Sequence, residues 1–279
     1  MTRRPTLPRR NLAAAILAAA IGVAGCATQP ALPPPAPRAA NSDLAALAAR
    51  DLILNSLQAP AIMEYTGPNG HVKARERLTV RRPASLRVEA LSPLGVALVV
   101  AADANQVAIF DPSKDTIARG AATAETLSRV ARIPLAPEQA VRLLLALPPA
   151  AATASAPLVP AAADNGMKPL SYTRADGTID EIAFVDGNLA MVRETTPSGT
   201  LAYEIRYSNY RDIGAVQFPL TIDANFPATA TTVKLRYENP AIDGVIPDSA
   251  FVLSPGPQTR ELRLGLNFGP DFGVDQTRG

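Results

Sequence analysis

Alternation of apolar and polar residues dominates the middle and late parts of the chain. Val72, Ala74, Leu78 and Val80 alternate with Lys73, Arg75, Arg77, Thr79 and Arg81, and Glu76 is the one charge on the apolar phase. Leu86, Val88 and Ala90 alternate with Arg87 and Glu89. The same period returns at Tyr203, Ile205 and Tyr207, and again at Val233, Leu235 and Tyr237. A period of two predicts half-buried antiparallel strands with one wet face and one apolar face. Turn signals separate them at Pro68-Asn69-Gly70, Asp176-Gly177, Asp186-Gly187-Asn188 and Pro197-Ser198-Gly199. The chain is therefore mainly β with short helices, its antiparallel sheet built of hairpins.

Helical periodicity is confined to three segments. Ser42 is a candidate N-cap for a helix running to about Gln58, with Pro60 as its stop. Ala49, Leu52, Ile53 and Leu57 form its apolar face, opposite Arg50, Asp51, Asn55 and Gln58. Leu44, Leu47 and Leu54 blur that pattern, and a helix apolar on more than one side is usually enclosed. A second helix spans about Thr123 to Arg132. The third begins near Pro137, a favoured first-turn proline, carries Val141, Leu144 and Leu145, and stops at Pro148-Pro149. Ala150 to Asn165, rich in Ala and Pro, reads as a flexible surface loop. After Pro255 only Glu261 to Leu266 has weak strand character, and there is no internal repeat.

The N-terminus has a different pattern. Arg3, Arg4, Arg9 and Arg10 precede an uncharged apolar run of twelve residues, Leu12 to Val23. A membrane-spanning helix needs about 20 residues to cross roughly 30 Å of hydrocarbon, so this run is too short. Positive charge, a short apolar run and then small residues read as a signal peptide over residues 1–25. Val23-Ala24-Gly25-Cys26 resembles the lipobox of bacterial lipoproteins, in which the cysteine is acylated and becomes the new N-terminus. The bland alternative is an ordinary signal peptide with a chance cysteine, but Cys26 is the sole cysteine and stands where the lipobox requires it. Each buried methylene contributes about 0.8 kcal/mol, so two or three acyl chains hold a protein on a bilayer where one would not. Ala27 in place of aspartate resembles an outer-membrane sorting signal. Residues 26–41 contain Pro30, Pro33, Pro34, Pro35 and Pro37 and form a semi-stiff extended tether.

Composition narrows the classes of function. Losing the four leader arginines takes the basic residues from 27 to 23 against 25 acidic ones, and the net charge from +2 to −2. That balance gives no global case for nucleic-acid binding. With Cys26 acylated no disulfide forms, and the absence of tryptophan leaves a core of aliphatic side chains. The one histidine, His71, sits beside a turn and reads as solvated; it has no second histidine or free cysteine with which to build a zinc or copper site. No Gly-x-Ser-x-Gly elbow, Ser-x-x-Lys motif or glycine-rich phosphate loop is present. Asp180 and Glu181, adjacent on a strand, point to opposite faces. Carboxylates from separate strands could still converge, so an envelope hydrolase stays open as a third reading behind the non-enzymatic ones. The basic row Lys73, Arg75, Arg77 and Arg81 is either a solvated face with cross-strand acidic partners or an attraction surface for anionic headgroups or an acidic protein.

The segment Leu86 to Pro148 carries a family resemblance. Leu86-Arg87-Val88-Glu89-Ala90-Leu91-Ser92-Pro93-Leu94-Gly95 is followed by strands at Val96 to Ala101 and Gln106 to Asp111. Thr126-Leu127, Ile133-Pro134-Leu135 and a helix ending Leu145-Ala146-Leu147-Pro148 come next, with Phe251-Val252-Leu253 far downstream. This order resembles the LolA/LolB-like lipoproteins, in particular the LolB-type outer-membrane lipoprotein acceptors. The resemblance spans 42–254 and is specific over Leu86 to Pro148; residues 255–279 and the 150–165 loop look like additions, and the missing tryptophans depart from the LolB pattern. It implies an unclosed antiparallel β-barrel with a helical lid, whose apolar interior holds acyl chains. Leu86, Val88, Ile205 and Leu235 are then candidate cavity-lining residues. Pro93, Leu94 and Gly95 match the loop from which a leucine enters the membrane, the other possibility being that Leu94 folds back onto the sheet. The implied partners are membrane lipid, acylated lipoproteins and a periplasmic carrier, for a monomer on the periplasmic face of the outer membrane. No cofactor or metal is expected beyond the acyl lipid on Cys26. A scaffold of the same fold, binding lipid or protein without transfer, is the alternative.

Overall fold

The computed structural model describes residues 38–149, 158–164 and 166–264. The expected signal peptide, Cys26, the tether up to residue 37, positions 150–157 of the Ala/Pro-rich loop and the tail beyond 264 lie outside the described residues.

Among the described residues, fifteen strands join one sheet. The first block is β1 Ser56–Gly67, β2 Gly70–Arg81, β3 Ser85–Ser92, β4 Gly95–Ala102, β5 Gln106–Asp111 and β6 Thr116–Ala121. The second is β7 Val159–Pro160, β8 Leu170–Thr173, β9 Ile179–Val185, β10 Asn188–Thr195, β11 Leu201–Ile213, β12 Val216–Phe226 and β13 Thr231–Tyr237, followed by β14 Ala241–Ile242 and β15 Arg260–Arg263. The helices are α1 Arg38–Ile53, α2 Ala124–Ala131 and α3 Pro137–Leu144. The spatial order is β15-β6-β5-β4-β3-β2-β1-β13-β12-β11-β10-β9-β8-β7, with β14 also on β1. The ends of that order do not pair with each other, so the sheet is an unclosed half-barrel of antiparallel hairpins. One parallel pair, β15 on β6, gives the weak strand character after Pro255 a place at the edge.

Two expectations for the first helix fail. It ends at Ile53, and Leu57, Gln58 and Pro60 belong to β1, paired with β2 along its whole length and with β13 from Ala61. Pro60 is tolerated because its missing N–H faces the side where β13 has ended, while its carbonyl accepts the Glu238 N–H at 2.7 Å. The buried face is also the opposite one. Leu47 and Leu54 are in the core with Leu44 against it, whereas Leu52 is 81% exposed. Arg50 and Asp51 turn inward, Asp51 to ion pairs and Arg50 to an aromatic ring, with its Nε and one Nη left without a hydrogen-bond partner. The Arg50 guanidinium lies 5.8 Å from the centre of the Tyr210 ring, and Asp51 is bound by two arginines.

α3 packs on β2 and β3 at the inner face of the sheet, and α2 places Leu127 in the same core. The Thr123 hydroxyl caps α2 by accepting the Thr126 N–H at 3.1 Å, and Arg132, in the left-handed conformation at φ 58°, ends it. α3 starts at Pro137, and its Val141 and Leu143 are buried with Leu145, Ala146 and Leu147 behind them. Each buried leucine contributes about 2 kcal/mol. The helix is then tied down by polar contacts. The Tyr207 hydroxyl donates to the Leu143 carbonyl and that of Tyr237 to the Leu144 carbonyl, each at 3.0 Å, which satisfies acceptors that a helix end leaves open. Arg142 is 4% exposed and grips both Asp51 oxygens at 3.0 and 3.2 Å, with its Nε on the Pro148 carbonyl at 2.6 Å.

The outer face is wet apart from one covered area. Lys73 meets Glu64 at 2.9 Å and Arg77 meets Glu89 at 3.4 Å, both across strand pairs, so the basic row has acidic partners; Arg75 is exposed. Behind β4 to β6, Val99, Ala101, Ala108 and Ile117 form a small second core closed by Leu253. Phe251 is buried too, under the Arg81 guanidinium at 5.0 Å.

Removing one member of the Asp51–Arg142 pair leaves the other charge buried. Asp51→Ala is expected to lose about 3 kcal/mol of unfolding free energy in a urea titration, and Asp51→Ala with Arg142→Met to regain most of it. Equal losses in the single and double variants would remove the pair from the account of how α3 is held.

Candidate functional site

Residues directly opposite one another in an antiparallel sheet share a face, so the register defines rows across the inner side. The innermost row is Leu57, Val80, Leu86, Ala102 and Val107, all buried. Next come Ala59 and Leu78, buried, with Val88 and Val100 half-buried. Tyr237, Ala61 and Glu76 are buried in the third row, where Ala90 and Leu98 are half-buried. Beyond them Met63 and Ala74, then Tyr65 and Val72, are all half-buried. Burial thus falls steadily along β1 to β4 toward the end of the sheet that holds the β3–β4 hairpin. The result is a trough of half-covered apolar side chains, closed at its inner end by the rows packed beneath α3.

That hairpin turns through Pro93 and Leu94, and Leu94 is 100% exposed. The turn is built to project it. Ser92 Oγ accepts the Leu94 N–H at 3.2 Å and donates to the Gly95 carbonyl at 3.1 Å, while Gly95 at φ +119° takes a conformation that L side chains rarely adopt. Of the four candidate lining residues, Val88 lies in the trough. Leu86, Ile205 and Leu235 belong to the closed core, Leu235 directly beside Met63.

Glu76 is the polar group in this surface. It is 3% exposed, opposite Ala61 on one side and Ala90 on the other, and makes no hydrogen bond or ion pair with any described residue. Burial raises its carboxyl from the ordinary 4.5 to about 7. Asp180, 1% exposed, shows the contrast: Arg174 holds both its oxygens at 2.7 Å and also reaches Glu194 at 2.7 Å. Its neighbour Glu181 pairs with Arg193 on the other face. Glu76 was legible as a charge on the apolar phase; that it lacks a partner depends on alanines from two other strands.

A separate depression of about 390 Å³ lies on the outer face, lined by Glu64, Thr66, His71, Glu204, Arg206 and Asp223 among others. Its carboxylates are spoken for. Glu64 pairs with Lys73 and Arg236, Asp223 with Lys234, and Glu204 with Arg193 and Arg206. Burial pushes Glu204 up, but the two arginines outweigh it and hold the carboxyl below its usual range. Glu204 is therefore a poor proton donor. His71 Nδ1 faces the Thr66 hydroxyl at 2.9 Å. This polar hollow does not suit an acyl chain.

No protein-family model matches the chain, and no curated protein matches it. Solved structures do. A LolA superfamily protein from Nitrosomonas europaea superposes with a TM-score of 0.51 at 16% identity, covering 75% of this chain and 96% of that one. A putative outer membrane lipoprotein-sorting protein domain from Vibrio parahaemolyticus gives a TM-score of 0.50 at 10% identity, covering 76% and 97%. A DUF1329 family protein from Desulfovibrio piger gives 0.52 at 9% identity, covering 76% and 96%. At such identities the likeness is one of fold, and the fold is the half-barrel these LolA-superfamily and lipoprotein-sorting structures share.

Glu76 makes stability depend on pH in a predictable direction. Unfolded, its carboxyl loses its proton near pH 4.5; folded, it keeps it to about 7, so its stabilising contribution fades as pH rises through that window. Glu76→Gln cannot titrate. Its stability relative to wild type is expected to rise by roughly 3 kcal/mol between about pH 4.5 and about pH 8 in urea titrations. A constant difference across that range would mean that the carboxyl is solvated.

Proposed function

We propose that this chain is a periplasmic lipoprotein of the outer membrane, anchored by acyl chains on Cys26, that binds acyl chains on its inner face and receives or inserts lipoproteins in the manner of a LolB-type acceptor. The observation that carries the proposal is the apolar trough, half covered and running out to the exposed Leu94 of a LolA-type half-barrel. An acyl chain laid there buries methylenes at about 0.8 kcal/mol each and needs no polar group along its length. Leu94 at the tip enters the membrane interface, and the cargo comes from a periplasmic carrier. The work is binding and transfer by a monomer, without catalysis, metal, cofactor or nucleic acid. A second reading, a lipid- or protein-binding scaffold without transfer, draws support from the filled inner rows, since Leu145, Ala146 and Leu147 already occupy the ground beneath the helices.

Native mass spectrometry of the chain purified from a membrane-containing lysate separates these readings. A co-purifying acyl lipid or acylated peptide is the expected result; a bare mass with no uptake of added lipopeptide would favour the scaffold. Leu94→Glu removes a membrane contact worth about 2 kcal/mol, and is expected to slow delivery of a lipoprotein to vesicles by roughly tenfold or more. Its stability should stay within about 0.5 kcal/mol of wild type, because an exposed side chain carries no core packing. Unchanged delivery would take the membrane role away from the tip.

A further inference from the structure

We propose that Glu76 anchors the polar end of the bound acyl ligand, and that this end carries a hydrogen-bond donor: an ammonium or an amide N–H. The inference rests on the lipid-binding reading and narrows it to a class of ligand. The buried carboxylate Asp180 has Arg174, and the buried Arg142 has Asp51. Glu76 has none among the described residues, although it is 97% removed from solvent at the edge of the uncovered rows. Its cross-strand neighbours Ala61 and Ala90, and Ala74 two residues away on β2, bring only methyl groups beside the carboxyl. An apolar trough that only had to hold methylenes would be served better by leucine, since a buried carboxylate without a partner costs several kcal/mol. A donor on the ligand removes that penalty and converts it into affinity.

The groups around Glu76 leave that role to the ligand. Facing side chains from β1 are Ala59, Ala61 and Met63, and from β3 Val88 and Ala90. On β13 the Tyr237 hydroxyl is committed to the Leu144 carbonyl. In α3, Arg142 is engaged by Asp51 and Pro148, and Glu138 is exposed. In α2, Glu125 and Arg129 pair with each other. An amphiphile with an amine end can place its nitrogen at Glu76 and its chain over Met63, Ala74, Val72 or Leu98. One with a carboxylate end meets a like charge and binds only if the two carboxyls share a proton.

The test compares dodecylamine with dodecanoate, which have equal chain lengths, by calorimetric titration at about pH 8 into the exported chain carrying Cys26→Ser. Wild-type Glu76 is expected to favour the amine by roughly tenfold or more, and Glu76→Gln to reduce that preference to less than about threefold. Glu76→Leu provides a second variant without the carboxyl. A preference that survives in both variants, or equal binding of the two amphiphiles to wild type, would overturn the role of Glu76 and leave lipid binding standing. Binding of neither amphiphile would overturn the lipid-binding reading and this inference with it.

Discussion

β1 is hydrogen-bonded along both edges, to β2 on one side and to β13 on the other, and it is the seam through which the two blocks of the sheet meet. The pairing Ala61 with Glu76 and Ala61 with Tyr237 sets which side chains of the early block stand beside those of the late block. A slip of one residue in β1 would send Leu57, Ala59 and Ala61 to the wet face and break both halves of the core at once. The inner rows, the docking of α3 under Tyr207 and Tyr237, and the position of Glu76 all follow from this one register. β1 also explains why Pro60 is harmless: it sits where pairing to β13 has stopped.

Much of this arrangement could be read from the chain. The strands with charged outer faces declared themselves because Lys, Arg and Glu recur at alternate positions, and the turns at Asn69-Gly70 and Asp186-Gly187 lie between the paired strands where they were expected. The seam itself was hidden. Its alternation is carried by Leu57, Ala59 and Ala61 directly behind an Ala/Leu-rich helix, and alanine signals neither period strongly. The helix face was inverted for a related reason. Arg50 and Asp51 were read as wet, yet a tyrosine ring and two distant arginines make their burial tolerable. The parallel addition of β15 to β6 joins residues more than a hundred positions apart, and no local pattern reports that.

The trough was legible only in part. Val88 and the Pro93-Leu94-Gly95 tip came from a family resemblance, whereas Met63, Leu98 and Val100 gain their place from rows built across four strands. The gradient of burial has a physical meaning beyond the list of residues. A chain lying at the open end exchanges water for contacts on one side only, and each step inward adds contacts from the helices. Further progress requires Leu145 to Leu147 to yield, which means disturbing a helix held by two tyrosine hydroxyls and a buried ion pair. On the proposed lipid-binding reading, shallow and deep occupancy are therefore different physical states, the deep one requiring α3 to move.

The open ends of the sheet raise a separate matter. A half-barrel that never closes keeps two edges, and an unpaired edge is a template for another strand. Here one described edge is β15, four residues bearing Arg260, Glu261 and Arg263, and the other is β7, two residues ending in Pro160. Short length, charge and proline are features that discourage strand addition. For a chain held at a membrane as proposed, collisions are confined to two dimensions and neighbours meet repeatedly side by side. Blunted edges let many copies crowd the same surface without knitting their sheets together, so the inner face can stay open to lipid while the rim stays closed to protein.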